Sequence, residues 1–148
     1  MIVRAAMADD FQAVNALMLE VNQSDTDENN DARKAVFLGL VDDPANTIFV
    51  GVVNNEIVTS CYLNIIPNMT WGPAPYALIE NVVTTARHRR NGYGRECIAH
   101  AIDFAFTKKG CFKILLSSSQ RDERTRAFYK SVGFDQSKDG YVVYKNFR

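Results

Sequence analysis

Apolar positions along the chain recur at two spacings, roughly 3.6 residues and two residues, and the switching between them predicts helices and strands in turn. Ile2 to Ala5 reads as a first strand, after which Phe11, Val14, Leu17, Met18 and Val21 fall on one face of a helix. A second short helix carries Val36, Phe37 and Leu40. Thr47 to Val53 and Glu56 to Ile66 are β-branched and aromatic runs, joined by Asn54-Asn55, residues that tolerate the positive φ of a tight hairpin turn. The stretch PNMTWGPAP at 67–75 is too rich in proline and glycine to be regular, and it leads into a strand from Tyr76 to Thr84. After Gly94, a helix places Ile98, Ala101, Ile102 and Ala105 on one stripe, with Cys97 and His100 off it. Phe112 to Leu116 reads as another strand, a helix runs on to about Val132 with Gly133 as its C-cap, and Tyr141 to Lys145 reads as a last strand. The sum is α/β alternation with early and late hairpins, hence a mixed sheet flanked by helices.

Composition narrows the class. A length of 148 residues and a hydrophobic content of 47% predict a single domain over 1–148 with one core. No apolar run reaches membrane-spanning length and MIVRAAMADD lacks a signal-peptide core, so a soluble, cytoplasmic protein is expected. Cys61, Cys97 and Cys111 are scattered without a C-x-x-C pair and read as buried free thiols. With His88 and His100 as the two histidines, no metal site is expected. A formal net charge of zero gives no general attraction to nucleic acid or membrane. The segment SDTDENND at 24–31 imitates the first ligands of a calcium loop at Asp25, Asp27 and Asn29. Its sixth position is Asn30 in place of glycine and its twelfth Val36 in place of glutamate, which excludes calcium and leaves a solvated connection.

The local asymmetry carries the chemistry. In ALIENVVTTARHRRNGYGRECI, at 77–98, an apolar strand ends near Thr84 and arginines follow at 87, 89, 90 and 95. Gly92 and Gly94 let the backbone approach a ligand closely as a helix begins. Free N–H groups and the positive end of a helix dipole favour phosphate oxygens. The spacing is not a dinucleotide fingerprint, because Cys97 stands where a third small residue is needed, and it lacks the Gly-Lys-Ser/Thr of a Walker loop. It reads Arg-x-x-Gly-x-Gly, from Arg89 through Arg90, Asn91, Gly92 and Tyr93 to Gly94. On spacing alone such a hexapeptide is equally a solvated helix start.

Two segments together resemble the GCN5-related N-acetyltransferase (GNAT) superfamily: IENVVTTARHRRNGYG, similar to its acetyl-CoA strand and pyrophosphate loop, and RTRAFYKSVGF at 124–134, similar to its C-terminal helix and turn. The resemblance implies a mixed, mostly antiparallel sheet splayed between its fourth and fifth strands and flanked by about four helices. It implies acetyl-CoA as the acetyl donor, with its pyrophosphate on Arg89, Arg90, Asn91, Gly92, Tyr93, Gly94 and Arg95. Main-chain groups of Val82, Val83 and Thr84 are expected to meet the pantetheine arm, and an N–H there to polarise the thioester. Glu80, a carboxylate in an otherwise apolar strand, is the expected general base, acting through water; a structural carboxylate is the alternative. Tyr129 matches the tyrosine that serves many members as general acid, and a packed aromatic is its alternative. The asparagine that contacts pantetheine in many members is replaced here by Asp122.

The implied activity is direct transfer of an acetyl group to a primary amine in a ternary complex, with a small-molecule acceptor. A peptide or protein acetyltransferase and a non-catalytic acetyl-CoA sensor remain as alternatives. The acidic 24–31 segment favours a cationic amine by simple attraction. Trp71 and Tyr76 are candidates for an acceptor pocket or a subunit contact, with plain packing as the bland reading. A homodimer is expected by analogy with relatives.

Overall fold

The computed structural model describes residues 1–21, 30–118, 122–137 and 140–145, and these separate into two compact units, Met1–Leu116 and Ser117–Arg148. The first unit is built on five strands in the order β1 (Ile2–Ala5), β2 (Asn46–Val53), β3 (Glu56–Ile66), β4 (Tyr76–Thr84) and β5 (Ile114–Leu116). The first four pair antiparallel, and β5 lies parallel to β4. Helices α1 (Phe11–Val21), α2 (Asn30–Asp42) and α3 (Tyr93–Thr107) belong to this unit, and α4 (Glu123–Ser131) to the second.

The β2–β3 hairpin forms at the predicted turn, with Asn54 at φ 48° and Asn55 at φ 64°. Asparagine supplies these left-handed conformations at low cost because its short amide bonds the local backbone. Strand alternation gives the sheet two apolar faces. Phe11, Val14 and Phe37 pack with Ile48 and Val50 under α1 and α2. On the opposite face Cys61 of β3 meets Cys97 of α3, their sulfurs 3.7 Å apart, and the Cys97 thiol also lies 3.8 Å from the Phe49 carbonyl. Hydrogen bonding to Cys97, together with burial, pushes the Cys61 thiol well above its ordinary value, so the pair behaves as packed thiols. All three cysteines are buried and free, as the sequence predicts.

Several expectations need correction. Cys97 is 1% exposed and joins Ile98, Ala101 and Ala105 in the core, because the sheet-facing side of α3 is wide enough to include both positions at its start. His100 stays exposed, its ring edge-on to Phe49. Val21 and Val36 are exposed in place of closing the apolar stripes of α1 and α2. The strand read from Phe112 is limited to Ile114–Leu116. Residues 141–145 form no strand at all: their apolar alternation is that of a strand, but they find no ladder partner among the described residues, and Tyr141 and Val143 are almost fully exposed. The segment 24–29, with Asp25, Asp27 and Glu28, lies outside the described residues.

In the second unit Asp122 caps α4, accepting from the Thr125 backbone N–H and hydroxyl, both at 2.9 Å. Those bonds hold its carboxyl below the ordinary carboxylate range. The helix ends as predicted, with Gly133 at φ 98° and the Phe134 N–H bonded back to the Tyr129 carbonyl.

Candidate active site

Strand β4 is the axis of the site. Its ladder with β5 covers Ala77, Leu78 and Ile79 and stops there, so beyond Ile79 no strand among the described residues pairs with that edge. This is the structural counterpart of the expected splay between the fourth and fifth strands. The ladder with β3 is interrupted at the same place. Tyr62 pairs with Glu80 and Ser60 with Val83, so the single residue Cys61 faces both Asn81 and Val82, and Asn81 adopts φ 50°. That is a β-bulge, which bends the strand and re-aims the residues beyond it.

The bulge sorts the backbone groups. Thr85 N–H donates to the Val58 carbonyl, and the Val83 carbonyl takes the Thr59 hydroxyl at 2.6 Å, so residues 83 and 85 turn their main chain toward β3. By alternation Val82 and Thr84 turn theirs to the open edge, and the Thr84 carbonyl there receives Arg89 Nε at 3.1 Å. Of the three residues expected to offer main-chain contacts, Thr84 has its carbonyl away from β3, Val82 follows it by strand alternation, and the Val83 carbonyl is engaged by β3 while its side chain lines a cleft.

After Thr84 the chain makes a short 3-10 turn, Ala86–His88, and then enters α3 through a left-handed Arg90 at φ 68° and a left-handed Gly92 at φ 82°. Gly92 is the N-cap, and the first helical bond runs from Glu96 N–H to its carbonyl, so the amides of Tyr93, Gly94 and Arg95 precede any intrahelical partner. No side chain caps them. Asn91 braces the turn by donating to the His88 carbonyl at 3.2 Å. Arg90 and Arg95 are exposed beside these amides. Backbone donors, a dipole end and two guanidinium groups together fit an anion of phosphate type.

Two carboxylates hold this loop from outside. Glu20, at the end of α1, accepts from the Thr85 hydroxyl at 2.7 Å and the Ala86 N–H at 3.0 Å. The Thr85 bond first, then the Ala86 bond and the charges of Arg89 and Arg87, hold its carboxyl below the ordinary range against the cost of desolvation. Glu56 pairs with Arg87 and stands 3.6 Å from His88. Arg87 is thereby engaged in an ion pair across the hairpin, and Arg89 is folded onto its own strand. Neither Glu20 nor Glu56 had a local signal in the sequence, because each partner lies 31 to 66 residues away.

On the other side of β4 lies a cleft of about 570 Å³ between α1, α2 and the sheet. Apolar side chains from Val14, Met18, Phe37, Leu40 and Ile48 form most of it, and among the described residues Asn15, Arg33, Ser60, Tyr62 and Asn81 supply polar groups. Tyr62, whose hydroxyl donates to Asn46, pairs directly with Glu80 across the ladder, and residues directly opposed in a ladder share a face. Half-buried Glu80 is therefore on the cleft side of the sheet. Trp71 and Tyr76 do not line the cleft; Trp71 is exposed and stacks on Phe112 at 5.9 Å. Tyr129 belongs to the second unit, on α4, with its ring edge-on to Phe128 at 5.1 Å and to Phe134 at 6.2 Å.

Comparison with known proteins agrees with this geometry. The sequence model of the acetyltransferase (GNAT) family matches residues 11–134. A putative acetyltransferase from Agrobacterium tumefaciens is 38% identical and superposes with a TM-score of 0.92, over 98% of this chain and 100% of that one. A transcriptional regulator from Bacillus halodurans is 26% identical with a TM-score of 0.85, over 97% and 98% of the two chains. A glucosamine 6-phosphate N-acetyltransferase from Trypanosoma brucei brucei is 33% identical over 87 residues, a match spanning 59% of this chain and 56% of that relative's length. No described helix is long and apolar enough to cross a membrane. From the splayed sheet, the bulged fourth strand and the family match over most of its length, the chain belongs to the acetyltransferase (GNAT) family.

Proposed function

We propose that this protein is an acetyl-CoA-dependent N-acetyltransferase that passes the acetyl group directly to a primary amine held in the cleft between α1, α2 and β4. One observation carries the reading: at the bulge, Glu80 is on the cleft face while the Val82 main chain turns to the open edge one step further along. A proton acceptor and a carbonyl-polarising donor thus flank the same point of the strand.

The coenzyme supplies an activated acetyl group as a thioester. The amides of Tyr93, Gly94 and Arg95 and the guanidinium groups of Arg90 and Arg95 would bind its phosphates, with Arg89, Asn91 and Gly92 fixing the shape of the loop. Val82 and Thr84 would bond its amide-bearing arm as an added strand would. The Val82 N–H would donate to the carbonyl oxygen as negative charge develops there, a contribution that a fixed backbone dipole makes without reorganisation. An amine is an ammonium at neutral pH, so Glu80 takes its proton, directly or through water, before attack. Tyr129, matched by its place in the Phe128-Tyr129 motif, is the proposed donor of a proton to the departing thiolate. A small-molecule acceptor fits a cleft of this size, and ligand sites commonly enclose about 300–1,000 Å³.

The test is steady-state kinetics on Glu80→Gln beside a binding measurement. Acetyl-CoA affinity is expected to stay within about twofold while turnover falls by about 100-fold or more, the usual scale of general-base loss. Unchanged turnover removes Glu80 from the mechanism. Tyr129→Phe is expected to lower turnover and to alter the alkaline side of the rate profile, and a normal profile dismisses the acid role.

A further inference from the structure

Strand β3 carries two neighbouring buried hydroxyls on opposite faces of the sheet, and they differ in what they bond. Thr59, on the face of Cys61, donates to the Val83 carbonyl at 2.6 Å and lies 2.9 Å from the Thr84 hydroxyl. Ser60 is 1% exposed. Among the described residues its Oγ is the one buried side-chain nitrogen or oxygen without a hydrogen-bond partner in the protein. Burying a hydroxyl in that state is destabilising, and alanine would fill nearly the same space without the loss. A group of this kind calls for a partner from outside the chain.

Register fixes where the hydroxyl lies. Ser60 pairs with Val50 on one side and Val83 on the other, and Tyr62 pairs with Ile48 and Glu80. Paired residues share a face and alternate residues return to it, so Ser60, Tyr62, Glu80 and Val83 belong together under α1 and α2. Val50 packs there with Phe11 and Val14, and Ser60 lines the cleft. Ser60 and Glu80 are diagonal neighbours on this face, a placement that sets β-carbons roughly 7 Å apart in a regular ladder. No direct bond joins them, and the separation suits one intervening water. The β-bulge falls between their two pairs, so its extra residue leaves main-chain groups unpaired at the same point. Asn81 of the bulge also lines the cleft. An internal water needs two to four polar partners, and Ser60, Glu80 and the bulge together supply them.

We propose that Ser60 is a positioning residue for acetyl transfer: its hydroxyl anchors, in the floor of the cleft, the water through which Glu80 takes the proton of the acceptor ammonium. The inference rests on the reading of Glu80 as general base and names the group that completes its path. The Ser60 O–H donates into one lone pair of the water, and the water donates one hydrogen to the Glu80 carboxylate. The other lone pair is then free for an ammonium N–H. As the ammonium proton passes to the water, a water proton passes to the carboxylate. The products are a neutral amine, a carboxylic acid and an unchanged water.

Two measurements test this. A crystal structure of the wild-type protein with coenzyme A, at a resolution that shows ordered waters, is expected to place a water within hydrogen-bond distance of both Ser60 Oγ and a Glu80 oxygen. Initial rates follow thiol release with glucosamine 6-phosphate, spermidine and 2-phenylethylamine as probe amines, for Ser60→Ala, Glu80→Gln and the double variant. Ser60→Ala is expected to lower kcat about tenfold and to keep acetyl-CoA affinity within about twofold. The double variant should be no slower than Glu80→Gln alone, because the anchor has no function once the base is gone. An equal further loss in the double variant marks a packing effect and overturns the inference, as does an unchanged kcat in Ser60→Ala. A slow Glu80→Gln beside a normal Ser60→Ala leaves the base reading intact and dismisses Ser60. A normal Glu80→Gln removes the base and this inference with it. If none of the amines is acetylated, the crystal structure decides: the bridging water sustains the anchor, and a Ser60 hydroxyl bonded elsewhere or unbridged overturns it.

Discussion

The loop from Thr84 to Arg95 and the cleft under α1 and α2 are opposite kinds of surface gathered around one strand. The loop is polar and local: about a dozen consecutive residues supply backbone donors, a left-handed glycine and guanidinium groups, and their order along the chain is their order in space. The cleft is apolar and assembled, drawing on residues from Phe11 to Val83 that meet only through packing. In the proposed reading the first kind of site would hold the coenzyme, with chemistry that is mostly main chain. The second would receive the acceptor, where side-chain volume and desolvation decide.

The largest effect is expected where the two regions share a residue. Asn81 holds the bulge at a positive φ and also lines the cleft. Asn81→Val should lower turnover about 100-fold and stability by about 1–2 kcal/mol, because a β-branched residue resists that conformation. Asn81→Gly should keep most of both, and urea unfolding beside initial rates tests the pair. Equal loss in the glycine and valine variants would mean that the amide itself, and not the backbone shape, matters.

A smaller effect confined to the loop is expected from Gly92→Val, which places a branched side chain at φ 82°. The KM for acetyl-CoA should rise about tenfold with little change in the KM for the amine. A matching rise in both would show that the regions are not independent.

The smallest effect concerns their tether. Glu20 reaches from α1, a wall of the cleft, to Thr85 and Ala86 at the entry to the loop. Glu20→Ala should raise the KM for acetyl-CoA about three- to fivefold, in line with loss of charge-assisted hydrogen bonds at an exposed site, and leave kcat near its original value. Its folded-state pKa is lowered, so its stabilisation is present above the ordinary carboxylate range and is lost as pH falls through the lower folded value. The KM for acetyl-CoA should therefore rise on acidification in the parent protein and change less steeply in Glu20→Gln.

The same division explains what could be read in advance. The hairpin at Asn54-Asn55, strand β4 and the Arg-x-x-Gly-x-Gly loop are written in contiguous residues whose conformational preferences point one way, and each is found where the sequence places it. The helix registers were legible to within a residue or two at their ends; α3 starts at Tyr93, ahead of the second glycine. What required the fold was anything made of distant pairs: the tether at Glu20, the Glu56–Arg87 pair and the composition of the cleft. Asn81 is intermediate. An asparagine inside a β-branched run is a local signal for a bulge, since it is depleted in strands and tolerates a positive φ, but only the register between β3 and β4 locates the extra residue. Residues 141–145 show the converse, a strand-like alternation that finds no ladder among the described residues to make it a strand.

The measurement that bears most directly on the central claim is calorimetric titration of acetyl-CoA and of free coenzyme A into the wild-type protein. One saturable site with similar affinity for the two is predicted, because in the proposed reading the loop and the open edge of β4 would hold the phosphates and the amide-bearing arm, which both forms share. The absence of saturable binding for either, well above ordinary cellular concentrations, would contradict the account.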